Sequence, residues 1–160
     1  MLKPNFIFNS VLDITPQFLA DNNIKALLLD VDNTLTYAHK TKLLRDGASD
    51  WFKTLQENGI SLIVLSNAKP KRARAFGESI GLRIVGGAAK PLPFGYLKAM
   101  KMLGAKRSEV AMVGDQIFTD TLGAKAVGIK TVLVTDITPE EGWSFKLRRK
   151  LEKKILKDVK

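Results

Sequence analysis

Leu27-Leu28-Leu29-Asp30-Val31-Asp32-Asn33-Thr34-Leu35-Thr36 is the stretch on which the reading of this chain turns. An apolar run enters directly into two carboxylates two positions apart, followed by Asn and Thr. A short unbroken apolar run bounded by turn residues fits a strand buried on both faces, as in a parallel sheet. In open α/β sheets, sites form beyond the carboxyl ends of the strands. A carboxylate standing there can attack phosphorus and carry the phosphoryl group as an aspartyl-phosphate.

Working outward, the pattern recurs. The first strand spans 24–29. Further apolar runs at 60–65, 82–85, 110–113 and 131–134 are each followed by turn residues. Between them lie helical segments with recognisable ends. Thr15-Pro16 opens a short helix towards Asn22, and Asp46 caps a helix through Trp51, Phe52 and Leu55. Pro70 starts a helix that Gly81 ends, Pro91 starts one that Gly104 ends, and a helix over 119–126 stops at Gly128. The residues from Glu140 onward form a last helix. Strands alternating with helices predict an α/β fold. The expected architecture is a single Rossmann-like domain over 1–160, with about five parallel strands and helices on both faces.

The chain has 160 residues, 45% hydrophobic and 26% charged, which fits a globular protein rather than a disordered one. It contains no cysteine, which excludes disulfides and thiolate metal sites. No apolar run approaches the roughly 20 residues of a membrane span, and residues 1–20 lack a secretory pattern, so a cytoplasmic location is expected. The net charge of +10 points to an anionic partner: a phosphorylated substrate, a lipid surface or nucleic acid.

Three further motifs follow the strand ends in order: Leu65-Ser66-Asn67, then Lys90-Pro91 after Gly86-Gly87-Ala88-Ala89, then Gly114-Asp115-Gln116-Ile117-Phe118-Thr119-Asp120. Taken singly, each has an ordinary structural reading: a polar turn, a helix entry, a solvated lysine, an N-cap. As a set they resemble the four motifs of the haloacid dehalogenase (HAD) phosphatases. That resemblance covers roughly residues 24–134. More narrowly, Asp13-Ile14-Thr15-Pro16, the Asp30 segment, Lys90-Pro91 and the Gly114 to Asp120 segment resemble the YqeG family, in subfamily IIIA. This family is related to phosphatidylglycerophosphate phosphatases.

The resemblance implies a role for each residue. Asp30 is the nucleophile. Asp32 is the general acid and then the base; ATP-driven pumps of this superfamily carry Thr there, so Asp32 favours hydrolysis of a phosphate monoester. Ser66 and Asn67 bind the phosphoryl group, and Lys90 neutralises the crowded charge. Mg²⁺ is held by Asp30, the backbone carbonyl of Asp32 and Asp115. Thr34 and Asp120 support them, Asp120 reaching either the metal's water shell or Lys90. Only 35 residues separate Asp30 from Ser66, and 23 separate Ser66 from Lys90, too few for an inserted cap domain. A capless site suits a large or surface-anchored substrate, and the family likeness implies a lipid head-group monoester.

The ends of the chain add one more feature. Residues 143–160 carry eight Lys or Arg and two acidic residues, with Leu147, Leu151 and Ile155 on one stripe and Trp143 and Val159 near its ends. Such a helix either docks on the sheet or meets an anionic membrane. Leu2, Phe6, Ile7, Phe8, Val11 and Leu12 either assist that contact or pack under the helix. His39 reads as a surface residue, and Arg72 and Arg74, which follow the second motif, read either as a solvated helix face or as contacts to substrate. Nucleic acid is a weaker partner, because no aromatics interleave with the basic run.

Overall fold

The computed structural model describes residues 2–37, 43–136 and 142–157. His39 and Val159 lie outside the described residues. Six parallel strands form one sheet: β1 Phe6–Phe8, β2 Ala26–Leu29, β3 Ser61–Leu65, β4 Arg83–Val85, β5 Val110–Gly114 and β6 Lys130–Val134. Their order across the sheet is β1-β6-β5-β2-β3-β4. The chain moves outward from β2 through β3 to β4, then returns to the other side of β2 for β5 and β6. The reversal lies between β2 and β5, and a crevice opens where strand order reverses.

The apolar runs are continuous because both sheet faces are covered. Alternate residues go to opposite sides. Leu27, Leu29, Leu62, Val64, Ala111 and Val113 join one core cluster with Trp51, Phe52 and Leu55 of helix α2, Ala48–Glu57. Leu28, Ile63, Leu65 and Met112 join the other, with Tyr96, Ala99 and Met100 of helix α4, Pro93–Leu103. Helix α1, Pro16–Asp21, is opened by Thr15, whose hydroxyl accepts from the Phe18 N–H, with Pro16 in the first turn. Helix α3, Pro70–Ile80, ends at Gly81 in the left-handed conformation.

Four local readings differ from the sequence expectation. The sheet has a sixth strand: Phe6–Phe8 pairs with Val132–Val134, and Phe6 and Phe8 set their rings edge-on against Phe18. These residues therefore extend the sheet rather than pack under the last helix. Helix α2 is entered through Gly47 in the left-handed region (φ 85°), not capped by Asp46. Helix α4 begins at Pro93 rather than Pro91, with Leu92 extended ahead of it; the Lys90-Pro91 peptide is cis. Residues 117–121 form a wide π-type turn ahead of helix α5, Leu122–Ala126. Helix α6, Trp143–Lys157, is the expected last helix.

Candidate active site

Each strand end delivers one group to the crevice. Asp30 follows β2, Ser66 follows β3, Lys90 follows β4 by a short loop, and Asp115 follows β5. All four are buried, and so is Asp120. The Lys90 ammonium donates to Asp30 Oδ1 at 2.5 Å and to Asp120 Oδ1 at 2.8 Å. Thr34 Oγ1 donates to Asp30 Oδ2 at 3.4 Å, and the Gln116 N–H donates to Asp120 Oδ2 at 3.2 Å. Asp120 thus meets Lys90 directly. Gly114 permits this closeness, since a Cβ there would overlap the Asp120 carboxyl group.

Lys90 is placed by its backbone as well. Its N–H donates to Asn67 Oδ1 at 2.7 Å, and Asn67 Nδ2 donates back to the Lys90 carbonyl at 3.4 Å. The Asn67 side chain is therefore engaged in holding the lysine loop. Ala89, just before Lys90, has φ 53°, a conformation that costs an L-residue and persists only when neighbours impose it. Ser66 Oγ accepts from the Ala68 N–H at 3.1 Å, which leaves its hydroxyl proton free to point elsewhere. Asn33 sits at φ 61°, a region Asn tolerates, and so lets the chain turn sharply between Asp32 and Thr34.

Asp115 has an unequal environment. Its Oδ2 accepts from Arg149 Nη2 at 2.5 Å, and its carbonyl accepts from Arg149 Nη1 at 2.6 Å. Its Oδ1 is buried and has no hydrogen-bond partner among the described residues. A buried carboxylate oxygen without a partner is costly unless a cation meets it. Ligand atoms of Asp30, Asp115 and Asp120 lie within 4.8 Å of one another. Hard oxygen donors grouped in this way fit Mg²⁺, which takes one or two carboxylates and completes its shell with water and phosphate oxygens.

Helix α6 meets the core through polar contacts to the turn after β5, not through its apolar stripe. Besides the Arg149 contacts, Arg148 Nη1 donates to Gln116 Oε1 at 2.8 Å. Glu152 is buried and accepts from the Ile117 N–H at 2.8 Å and from Arg149 Nη1 at 3.0 Å. Trp143 is 79% exposed, and Leu147 and Leu151 face outward with it. Arg149 could not be singled out from sequence, because it is one of eight basic residues spread over 143–160, and no motif marks Glu152 among them.

Burial pushes the Asp120 carboxyl up to about 6; Lys90 opposes this and Asp30 adds to it. Burial, then Asp30 and Asp120, drive Asp115 well above the usual carboxylate range despite Arg149. Burial works against the charge on Lys90, but Asp120 and Asp30 outweigh it and hold the ammonium well above its ordinary range. The raised carboxyls set a pH dependence for the metal-free protein. Between the ordinary Asp value of about 3.9 and the folded value, the native state binds more protons than the unfolded chain. Stability therefore falls as pH rises through that window and stays low above it. In EDTA, the melting temperature should rise by roughly 5 °C between pH 7.5 and pH 5. Saturating Mg²⁺ should cancel the rise. Thermal melts at the two pH values check this, and a metal-free protein that melts higher at pH 7.5 would contradict it.

Residues 37–128 match the family model described as haloacid dehalogenase-like hydrolase. Over 157 residues the chain is 29% identical to the Bacillus subtilis protein named "Probable phosphatase YqeG", covering 98% of this chain and 91% of that one. It is 27% identical over 150 residues to the Saccharomyces cerevisiae phosphatidylglycerophosphatase GEP4, mitochondrial, covering 85% of this chain and 79% of that one. It is 28% identical over 151 residues to the Arabidopsis thaliana phosphatidylglycerophosphate phosphatase 1, where it spans 88% of this chain and 43% of the relative. Among solved structures, the 4-nitrophenylphosphatase of Thermotoga maritima superposes with a TM-score of 0.60 at 14% identity, over 77% of this chain and 89% of that one. That similarity shows the fold alone.

Proposed function

The chain belongs to the haloacid dehalogenase-like hydrolases and is a phosphatase, and on that premise we propose that it hydrolyses a lipid phosphate monoester with Mg²⁺ through an aspartyl-phosphate on Asp30. The observation that carries the reading is the buried constellation in which Lys90 bridges Asp30 and Asp120 beside a partnerless Asp115 oxygen.

Asp30 attacks phosphorus, and its new P–O bond forms as the ester P–O bond breaks. Asp32 gives its proton to the departing alkoxide. Asp32 then takes a proton from the water that attacks the aspartyl-phosphate, and inorganic phosphate leaves with Asp30 restored. Ser66 donates its hydroxyl proton to a phosphoryl oxygen, and Lys90 balances the charge that accumulates there. Asp30, Asp115 and the Asp32 carbonyl would hold Mg²⁺, which would neutralise the phosphoryl oxygens. Thr34, Asn67 and Asp120 keep Asp30 and Lys90 in place. The whole chain serves as one domain in this reading.

Two observations favour a lipid head group, of which phosphatidylglycerophosphate is the leading instance. The relatives above include two proteins named for that reaction. The outward face of α6 presents Trp143, Leu147 and Leu151 among exposed Lys146, Lys150, Lys153 and Lys154. An apolar stripe edged by lysines suits the surface of an anionic membrane, where each basic residue contributes about 1 kcal/mol. Among the described residues no helix is long and apolar enough to cross a membrane; in this reading α6 meets the membrane at its surface, on the cytoplasmic side.

The test compares phosphatidylglycerophosphate in anionic vesicles, a phosphorylated oligonucleotide and small phosphate esters, each with Mg²⁺ and with EDTA. Lipid turnover should exceed the others, fall steeply with added salt and vanish in chelator. Full activity in EDTA would remove the metal reading, and preference for the oligonucleotide would transfer the substrate to nucleic acid.

A further inference from the structure

A groove of about 660 Å³ leaves the catalytic crevice and runs along α3. Its inner end is formed by Asp32 and Ser66, so it is continuous with the place where the phosphate ester reacts. Its wall is one face of α3, because Arg72, Ala75, Phe76 and Ser79 fall at helical spacing on the groove. Small side chains at 75 and 79 leave the space open, while Phe76 and Ile84 supply an apolar floor that also packs against the core. Pockets of about 300–1,000 Å³ with mostly apolar linings are the size that buries a small-molecule ligand.

The charge on the groove is one-sided. Lys69, Lys71 and Arg72 line it, and among the described residues Asp32 is its only acid. Phe76 and Ile84 pack against the core and also present an apolar floor to the groove, a surface that a fully polar ester such as a sugar phosphate would leave unused. A cationic rim over an apolar floor complements a molecule that is anionic at one end and apolar at the other. The groove begins at Asp32, the residue that protonates the leaving oxygen, so the group it receives is the leaving alcohol.

We propose that the α3 groove is the leaving-group subsite and that it takes an apolar hydrocarbon chain carried by the alcohol of the phosphate ester, with Lys69, Lys71 and Arg72 meeting the anionic part. This deepens the proposed function and rests on it for the position of the phosphate. Membrane contact by α6 is a separate event, since in the groove the hydrocarbon chain is withdrawn into the protein.

The experiment uses n-alkyl phosphonates from propyl to octyl, which bind like a phosphate ester but are not hydrolysed. Their Kd for the Mg²⁺-loaded protein is measured by titration calorimetry. Each added methylene should tighten binding by about two- to fourfold, the range from partial to full burial of a CH₂. Ala75→Trp, which fills the groove from an exposed helix position, should abolish that dependence on chain length. Ser79→Trp provides a second blockade should the first variant fail to fold, with thermal melts confirming folding of each. A wild-type Kd indifferent to chain length would overturn the proposal, and so would a dependence retained in both folded variants. Hydrolysis of an aryl phosphate by the same preparation separates the two readings. Turnover with a flat chain-length profile removes the groove alone. A steep profile without turnover keeps the groove and removes the phosphatase mechanism.

Discussion

Asp30→Asn should lower phosphatase turnover by at least about a thousandfold, because an amide cannot serve as the nucleophile that accepts the phosphoryl group. The fold should survive. The amide is nearly isosteric, and its oxygen can still accept from Lys90, which Asp30 meets at 2.5 Å. Removing one of three neighbouring carboxylates also relieves repulsion in the metal-free protein. The variant should therefore melt within a few degrees of the parent in EDTA while losing activity in Mg²⁺. Steady-state kinetics and thermal melts on one preparation check both halves. Appreciable turnover by the folded variant would remove Asp30 from its role.

Lys90→Ala should damage stability as well as activity. Lys90 is 7% exposed and answers two carboxylates at once. Truncating one partner of a buried ionic cluster leaves uncompensated charge, at a cost of about 3–5 kcal/mol. For a chain of this size that corresponds to a fall of roughly 10 °C in melting temperature. Pairing the change with Asp120→Asn should restore part of the stability, since the amide needs no counter-charge. It should not restore activity, because Asp30 and the phosphate would still lack their cation. Equal melting temperatures for Lys90→Ala and the parent, measured by calorimetry, would show that the ammonium does not hold the cluster together.

Much of this architecture can be read from local pattern. Leu27 to Leu29 and Ile63 to Leu65 are unbroken apolar runs because their side chains alternate between two buried faces, and that constraint is visible in a few consecutive residues. Gly81 and Gly104 mark helix ends because both lie in the left-handed region that lacks a Cβ penalty. The turn residues after the strands were likewise legible, since Asp30, Ser66, Lys90 and Asp115 stand at strand ends or one loop beyond. What escaped depends on distant partners. Phe6 to Phe8 is too short to declare itself, and it becomes a strand only because β6 offers an open edge and Phe18 covers its rings. Arg149 is one of many basic residues until α6 returns to the turn after β5. The π-type turn at 117–121 is tied to a residue 23 positions before Thr119: the Tyr96 hydroxyl donates to the Thr119 carbonyl at 2.9 Å. The outward stripe of Trp143, Leu147 and Leu151 was visible as a pattern, but its direction was fixed by Arg149 and Glu152.

A nucleophilic Asp30 requires a covalent phosphoryl intermediate at that one side chain. Protein mixed with Mg²⁺ and a rapidly turned-over aryl phosphate, quenched in acid within milliseconds and digested, should yield a peptide carrying one phosphoryl group on Asp30. The mark should be absent in EDTA and in Asp30→Asn. A phosphoryl group found on another residue, or continued turnover with no trapped species in the parent and undiminished rate in Asp30→Asn, would contradict it.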